Sequence, residues 1–531
     1  NATGFEAYLS IANPQGERLI GFYALQQALF DRYAGEYPLG KVRIFCVGPA
    51  SAVTNEGAIG SSPLRKGAFS PVVDWAGRGG LGSRLLQYHN VVGCVFGGEW
   101  EDPDLRDSAE IDAYFLEHFG LKTIQADIAL TEKYRYFPEF ETGGTFGVNM
   151  RELNERILSF NYTSLYASED ERLQQHKAFI LDHYLAQFNE ETIKTKSFQH
   201  CGEPCPVVCK KLKDQYKKDY EPYQALGPLL GVFDQRAAEP LNDHADALGF
   251  DAIQLGGTLA WIMELVAEGL IEPADYGFPP ATELKFKFTA DPAAFDIVND
   301  SALNARYAMA LMDAILLDPR AEVFRQGIRL AAAELDRALK IRSVDRAVYL
   351  AHGEAGCMVP NQYWTPGMFS PMALMGKYYV YYGADFNPPH RLGQRNVERM
   401  VYELFNDNSG ICRFHRKWAE VIVDEILVAH YDLQVDYKAH QFQVARAIHE
   451  REGYKCSPWE SERVYDLILG FLEMWESNGL ADPALKTWLE RFRADKNDAA
   501  LAFWQEIQAG IQAGFAAGAE AVPNQLSKAQ K

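Results

Sequence analysis

The sequence predicts an α+β protein, with a strand-bearing N-terminal part and a longer, mainly helical remainder. Three observations carry that expectation. Residues 41–48 (Lys-Val-Arg-Ile-Phe-Cys-Val-Gly) and 91–96 (Val-Val-Gly-Cys-Val-Phe) are short apolar runs separated by Gly- and Ser-rich turns, which is the composition of strands. Residues 257–266 set Leu259, Ile262, Met263 and Val266 at i, i+3, i+4 and i+7, one face of a helix. Residues 396–515 read as helix again.

In chain order, residues 1–150 form a first domain that is mixed but carries the strands. Residues 151–340 form a helical second domain, with at least two more amphipathic helices between 302 and 339. Residues 341–531 form a third, also mainly helical. Segment 353–393, rich in prolines and aromatics, is expected to be irregular and to bear function-carrying loops. The tail opens with Gln508-Ala-Gly510 and Gln512-Ala-Gly514, is low in complexity and is expected to fray.

A chain of 531 residues with 47% hydrophobic residues buries sizeable cores. The formal charge of −20 argues against nucleic acid and anionic membranes as partners. No apolar run reaches membrane-spanning length, and a cytoplasmic enzyme is expected. Eight cysteines are too few and too unevenly placed for a disulfide framework. Cys46, Cys94, Cys357 and Cys456 read as buried or idle thiols. The sequons at Asn1, Asn161 and Asn299 read as chance matches.

The chemistry concentrates in Cys201-Gly-Glu-Pro-Cys205-Pro-Val-Val-Cys209 and a remote Cys412. Three thiols at short spacing plus one distant thiol suit a cubane iron–sulfur cluster. Structural zinc, the alternative, usually takes two closely spaced cysteine pairs. Cys412 ends Asp407-Asn-Ser-Gly410-Ile411-Cys412, which repeats the form of Asp246-Ala-Leu-Gly249-Phe250-Asp251. In each, the aspartate can accept paired hydrogen bonds from an amidine-like N–H edge, and the glycine lets backbone lie against a flat ring. Helix C-caps look similar. Gly77-Arg78-Gly79-Gly80-Leu81-Gly82 satisfies G-x-G-x-x-G. Pro71 and Asp74 make the preceding residues poor strand chemistry, which weakens a dinucleotide reading. Phosphate binding by backbone amides and a tight structural turn both stay open. No HExxH, P-loop or GxSxG pattern occurs.

Through these residues the chain resembles the tungsten-pterin aldehyde ferredoxin oxidoreductase family, most of all its glyceraldehyde-3-phosphate branch. The matching stretches are 47–51, 74–82, 133–136 (Lys-Tyr-Arg-Tyr), 142–147 (Thr-Gly-Gly-Thr-Phe-Gly), 201–211, 220–223, 249–265 and 412–416. The resemblance implies a β-rich base domain under the cofactor, followed by two helical domains. It also implies a tungsten (or molybdenum) bis-pyranopterin, a magnesium ion joining the pterin phosphates, and a 4Fe-4S cluster on Cys201, Cys205, Cys209 and Cys412. Asp246, Gly249, Asp251, Asp407, Gly410 and Ile411 would hold pterins. Arg78, Gly79 and Gly80 would lie at a pterin and its phosphates, and the Ala76 carbonyl at magnesium. Glu221 matches the family's active-site glutamate and is the candidate base; its alternative is a surface carboxylate in the charged loop 217–221.

Three departures accompany the resemblance. The cysteine spacing is C-x3-C-x3-C, as in the glyceraldehyde-3-phosphate branch. Where some members place an active-site histidine, this chain has Lys377, Tyr378 and Tyr379, so the two tyrosines are the candidate donors to the substrate oxygen, and His390 reads as a loop residue. Members also have a longer N-terminus. The base domain is therefore expected to be incomplete here, the rest coming from a separate chain, a subunit or a cleaved precursor. The implied activity is anaerobic oxidation of an aldehyde, possibly glyceraldehyde-3-phosphate, to the acid, an EC 1.2.7-type reaction. Electrons would pass to ferredoxin or an iron–sulfur subunit. The alternatives are the tungsten subunit of a benzoyl-CoA reductase-type complex and a non-catalytic iron–sulfur or zinc scaffold.

Overall fold

A computed structural model of the chain describes residues 3–9, 21–38, 41–65, 67–70, 72–99, 108–195, 207, 209, 211–370, 385–431, 433–434 and 436–521. These are mostly helical, with one four-stranded sheet and three two-stranded ones among them. The chain divides into two compact units: residues 1–103 with 133–347, and residues 104–132 with 348–531.

In the first unit the strands between residues 43 and 96 are β1 (Arg43–Val47), β2 (Ile59–Ser61), β3 (Leu64–Arg65), β4 (Ala68–Phe69), β5 (Asp74–Ala76) and β6 (Gly93–Phe96). The four-stranded sheet runs β5-β2-β1-β6 and is antiparallel throughout, with Val47 opposite Ile59, Cys46 opposite Gly93 and Ile59 opposite Ala76. The two strands expected from the sequence are β1 and β6. Val42, Ile44 and Cys46 alternate inward, the period of a half-buried strand, and pack with Phe22, Leu25 and Leu29 of the helix Gly21–Tyr33. Burial pushes the Cys46 thiol up, as an idle core thiol requires; Cys94 on β6 is exposed instead. A strand, β5, does precede the glycine run, contrary to the reading of residues 69–76. Asp74 fits because β5 is a three-residue sheet edge, where a polar side chain reaches water. An antiparallel edge strand is not the first strand of a dinucleotide-binding βαβ unit.

The helix Ala252–Ala267 also differs from expectation. Every residue from Gln254 to Val266 is buried, so the apolar spacing marks no single face. It is a central helix, contacted by Tyr220–Ala225, Gln235–Leu248, Asn299–Leu317 and Ile328–Leu339, and a helix enclosed on all sides is apolar all round.

In the second unit the described part of the tail is helix through Ala521, contrary to the expectation of fraying there; residues 522–531 lie outside the described residues. The helix Lys496–Ala521 lies along Pro389–Asn408. Added Cβ atoms on Gly510 and Gly393 would come 1.9 Å from the His390 carbonyl oxygen and 2.2 Å from the Ile507 carbonyl oxygen. The glycines that made the tail look low in complexity are what let two backbones touch. His390 lies in the first turn of Pro389–Asn408, not in a loop. Segment 353–393 contains the end of a small hairpin, Leu350–His352 with Gly356–Met358. Among the described residues no helix is long and apolar enough to cross a membrane.

Candidate functional site

The two hexapeptides fold alike. Helix Gln235–Leu248 ends with Gly249 at φ +74°; the Gly249 N–H donates to the Asp246 carbonyl (3.0 Å) and the Phe250 N–H to the Ala245 carbonyl (3.1 Å). Helix Pro389–Asn408 is followed by Gly410 at φ +72°; the Gly410 N–H donates to the Asp407 carbonyl (3.3 Å) and the Ile411 N–H to the Asn406 carbonyl (3.2 Å). Both are Schellman caps. The C-cap alternative is thus correct as local structure. The cap does not explain the acids, because a carboxylate in the last turn faces the negative end of the helix dipole. Asp407 finds a partner outside the helix in Arg413; the helix supplies none to Asp246.

In the first unit the cap of helix Gln235–Leu248 abuts the sheet. An added Cβ on Gly249 would fall 2.6 Å from the Gly48 Cα. The Ala58 N–H donates to the Gly249 carbonyl, and the Asp251 N–H to the Glu56 carbonyl, both at 2.8 Å. This pairing continues β2, whose other edge holds β5. It therefore delivers Ala76, Arg78, Gly79 and Gly80 to Asp251, with Arg78 Nε 3.4 Å from Asp251 Oδ2. Asp251 caps helix Ala252–Ala267, accepting from the Ile253 and Gln254 amides at 3.1 Å. Burial raises its pKa, opposed by the Arg78 charge and these amides. Gly80, at φ +72°, opens helix Leu81–His89 and its added Cβ would meet the Asn55 carbonyl oxygen at 2.1 Å. The tight-turn reading holds for Gly80, and the turn lays its backbone beside Arg78 and the helix N-terminus.

Asp246 is half-buried, and burial lifts its carboxyl to about 7 against the nearby Lys217 charge. The buried Trp75 indole N–H faces it without a hydrogen bond of full geometry. Glu56, which no sequence signal marked, is buried beneath Asp251. It accepts from the Thr258 hydroxyl at 2.6 Å, and burial raises it to about 7. Two acids, an arginine, an indole N–H still short of an acceptor and a glycine-rich helix start share one wall. That donor set suits a ligand with an N–H edge and phosphate groups.

Glu221 is half-buried in the first turn of helix Tyr220–Ala225. The surface-loop alternative fails for its neighbours: Lys218 is buried, and Lys217 bridges Asp219 (3.2 Å) and Asp74 of β5 (3.6 Å). Thr145, inside the 142–147 motif, accepts from the Tyr220 N–H at 3.1 Å. Gly144 packs against Lys211 and the Cys209 carbonyl. One motif thus joins the Glu221 helix to the third cysteine. Behind them, Lys218 pairs with Glu239 and donates to Gln235 (2.7 Å), and Glu239 also pairs with Lys213. Burial pulls Lys218 down to about 8 despite Glu239.

Cys201, Cys205, Lys377, Tyr378 and Tyr379 lie outside the described residues. In the second unit, Cys412 is exposed just beyond the cap. Here Arg413 forks onto Asp407 (2.9 and 2.7 Å) and reaches Glu403 (3.0 Å). The His415 Nδ1–H donates to Asp127 Oδ1 (2.6 Å), which also accepts from the Trp418 indole N–H (2.8 Å). The contacts of Arg413 with Asp407 and of Asp127 with His415 and Trp418 were not anticipated. The adjacency of Arg413 to Cys412 was a signal for the first; nothing local marks the second.

Similarity to known proteins agrees with this geometry. The family described as "Aldehyde ferredoxin oxidoreductase, domains 2 & 3" matches residues 141–307. A glyceraldehyde-3-phosphate:ferredoxin oxidoreductase of Pyrococcus furiosus is 36% identical over 496 residues, which are 90% of this chain and 74% of that protein. A tungsten-containing aldehyde ferredoxin oxidoreductase of Pyrococcus horikoshii is 39% identical over 79 residues, 14% of this chain and 13% of that one. The solved active-site complex of benzoyl coenzyme A reductase with 1,5-dienoyl-CoA shares the fold, at TM-score 0.50 and 11% identity, over 93% of this chain and 78% of that one. The chain belongs to the aldehyde ferredoxin oxidoreductase family.

Proposed function

We propose that the chain oxidises an aldehyde to the carboxylic acid, holding a tungsten (or molybdenum) bis-pyranopterin and a 4Fe-4S cluster and using ferredoxin or an iron–sulfur subunit as partner. The observation that supports this best is the shared wall of Asp246, Asp251, Arg78 and the helix start after Gly79-Gly80. When bound, the pterin-held metal and the cluster would supply two-electron oxidation with water as oxygen source and an outlet for single electrons.

The chain's residues bind and orient. Asp246, Asp251 and Asp407 accept from pterin N–H edges; Gly249, Gly410 and Ile411 place backbone beside the rings. Arg78 and the Gly79 and Gly80 amides would hold the phosphates, and the Ala76 carbonyl would hold magnesium. Cys201, Cys205, Cys209 and Cys412 are the thiolates. Aldehyde oxidation by water releases protons, and Glu221 is the base that takes one from the attacking water. Tyr378 and Tyr379 are donors to the substrate oxygen. From Glu221's helix, the Asp219–Lys217–Asp74 ion chain leads to a carboxylate whose side chain is 48% exposed.

Glyceraldehyde-3-phosphate is the favoured substrate through the Pyrococcus furiosus relative. The arginines in or just beyond segment 353–393, Arg391 and Arg395, pair with Glu398 (2.7 Å) and Asp385 (3.5 Å), so neither supplies an argument for phosphate. The benzoyl-CoA alternative has the shared fold alone behind it. The test is anaerobic viologen reduction over phosphorylated trioses, aliphatic and aromatic aldehydes and aryl-CoA thioesters, with metal analysis. Tungsten or molybdenum with about four irons and turnover of an aldehyde is the expected result; zinc alone, or turnover only of the thioesters, rejects the proposal.

A further inference from the structure

Three consecutive non-glycine residues of the first unit, Phe160, Asn161 and Tyr162, hold left-handed backbone, at φ +51°, +50° and +66°. Asparagine takes this region readily; phenylalanine and tyrosine are strained in it. All three are buried. Such strain persists only where the surroundings impose it, and it gathers at functional sites. Here the surroundings are the segment that carries Glu221. The Gln224 side-chain amide donates to the Leu158 carbonyl (2.7 Å), the Phe160 N–H to the Pro228 carbonyl (3.1 Å) and the Asn161 N–H to the Leu229 carbonyl (2.9 Å). An added Cβ on Gly231, at φ +66°, would fall 2.3 Å from the Phe160 ring. From the other side the Asn161 amide donates to Glu264 Oε2 (2.5 Å), on the central helix Ala252–Ala267, and to the Arg346 carbonyl (2.9 Å). The strained turn is thus bonded to the central helix on one side and to the run from Glu221 to Gly231 on the other. Its last residue, Tyr162, faces the helix of the candidate base. Burial raises the Tyr220 hydroxyl well above its usual range, with Glu221 and Tyr162 adding to the shift and Arg156 opposing it. The two phenols and Glu221 therefore form one electrostatic group.

We propose that Tyr162 is a positioning residue for Glu221, presented by the left-handed turn 160–162 to the helix that bears the base. This rests on the reading of Glu221 as the group that takes a proton from the attacking water. A base works only within hydrogen-bond reach of that proton, and a small misplacement is felt in the rate. A protonated phenol close to Tyr220 orients the helical turn that Tyr220 shares with Glu221, and it adds no charge to the site. Backbone conformation sets where a Cβ points, so an ordinary φ at residue 162 would send the ring elsewhere.

The test is a double-mutant cycle on the full chain purified anaerobically with its metals. Y162F removes the hydroxyl and keeps the ring. N161G suits φ +50° and drops both side-chain bonds. Each is made in the parent and in E221Q, and kcat and KM are read by viologen reduction with an aldehyde that the parent turns over, beside metal content. Expected in the parent is a kcat lowered about tenfold by either change, with KM within about twofold and metal content unchanged; in E221Q neither change lowers kcat further, because both act through the same group. Parental kcat in Y162F or N161G overturns the proposal. So does an equal fall in both backgrounds, or metal lost from either variant, which would leave the turn a packing feature. Parent protein without aldehyde turnover, or E221Q with the parent's turnover, defeats the underlying reading and the proposal with it.

Discussion

At the scale of single residues, the buried acids give the clearest consequences. Burial lifts Glu56 and Asp246 to about 7 in the folded chain, well above their unfolded values. Such groups bind more protons folded than unfolded, so their contribution is present at low pH and is lost as pH rises through about 7. His176, which burial pulls down to about 4, acts oppositely but below its unfolded value. The window that isolates the acids therefore runs from about 6.5 to about 8. Cofactor-free chain should lose thermal stability across that window, and E56Q should flatten the slope; of the roughly 3 kcal/mol lost on ionising Glu56 between its unfolded value and about 7, less than about 1 kcal/mol falls above pH 6.5. A thermal-melt series against pH reads this directly, and equal slopes in parent and E56Q would remove Glu56 as its source. For Glu221, E221Q should keep tungsten and iron while turnover falls by at least about a hundredfold, the usual scale for a lost general base. Metal analysis beside viologen assays separates that outcome from a folding defect.

At the scale of elements, much was legible in the sequence because it depends on short range. β1 and β6 followed from short apolar runs between turns, and the helices Asn299–Leu317 and Ile328–Leu339 from periodicity. The repeated Asp-x-x-Gly hexads were visible as a repeat, and both are the same Schellman cap. Errors came where a neighbour decided the outcome. Gly510 looked like a fraying signal, but packing against Pro389–Asn408 turned it into a contact. G510A should push the two helices apart and lower the second unit's stability by about 2 kcal/mol or more, the scale of an overpacked core. G249A forces a side chain onto φ +74° and into Gly48, and should cost more than about 1 kcal/mol. Denaturant midpoints at unchanged slope would measure both; no loss in G249A would mean that the Gly48 contact is not needed.

At the scale of the whole molecule, ligands that bind only the native state add to its stability. Removing metal by oxidation and chelation should therefore lower the melting temperature of protein purified with its cofactors. Identical melts before and after removal would speak against a resident cofactor. Sequence alone determined the family and the paired hexads, because these are patterns of residue type and spacing, carried by the chain wherever it folds. Tertiary structure decided which side chains they meet. Glu56 under Asp251, Lys217 between Asp74 and Asp219, and Arg413 on Asp407 join residues brought together by sheet pairing, caps and close backbone contacts. A buried charge is identified by its surroundings, and those exist only once the chain has closed around it.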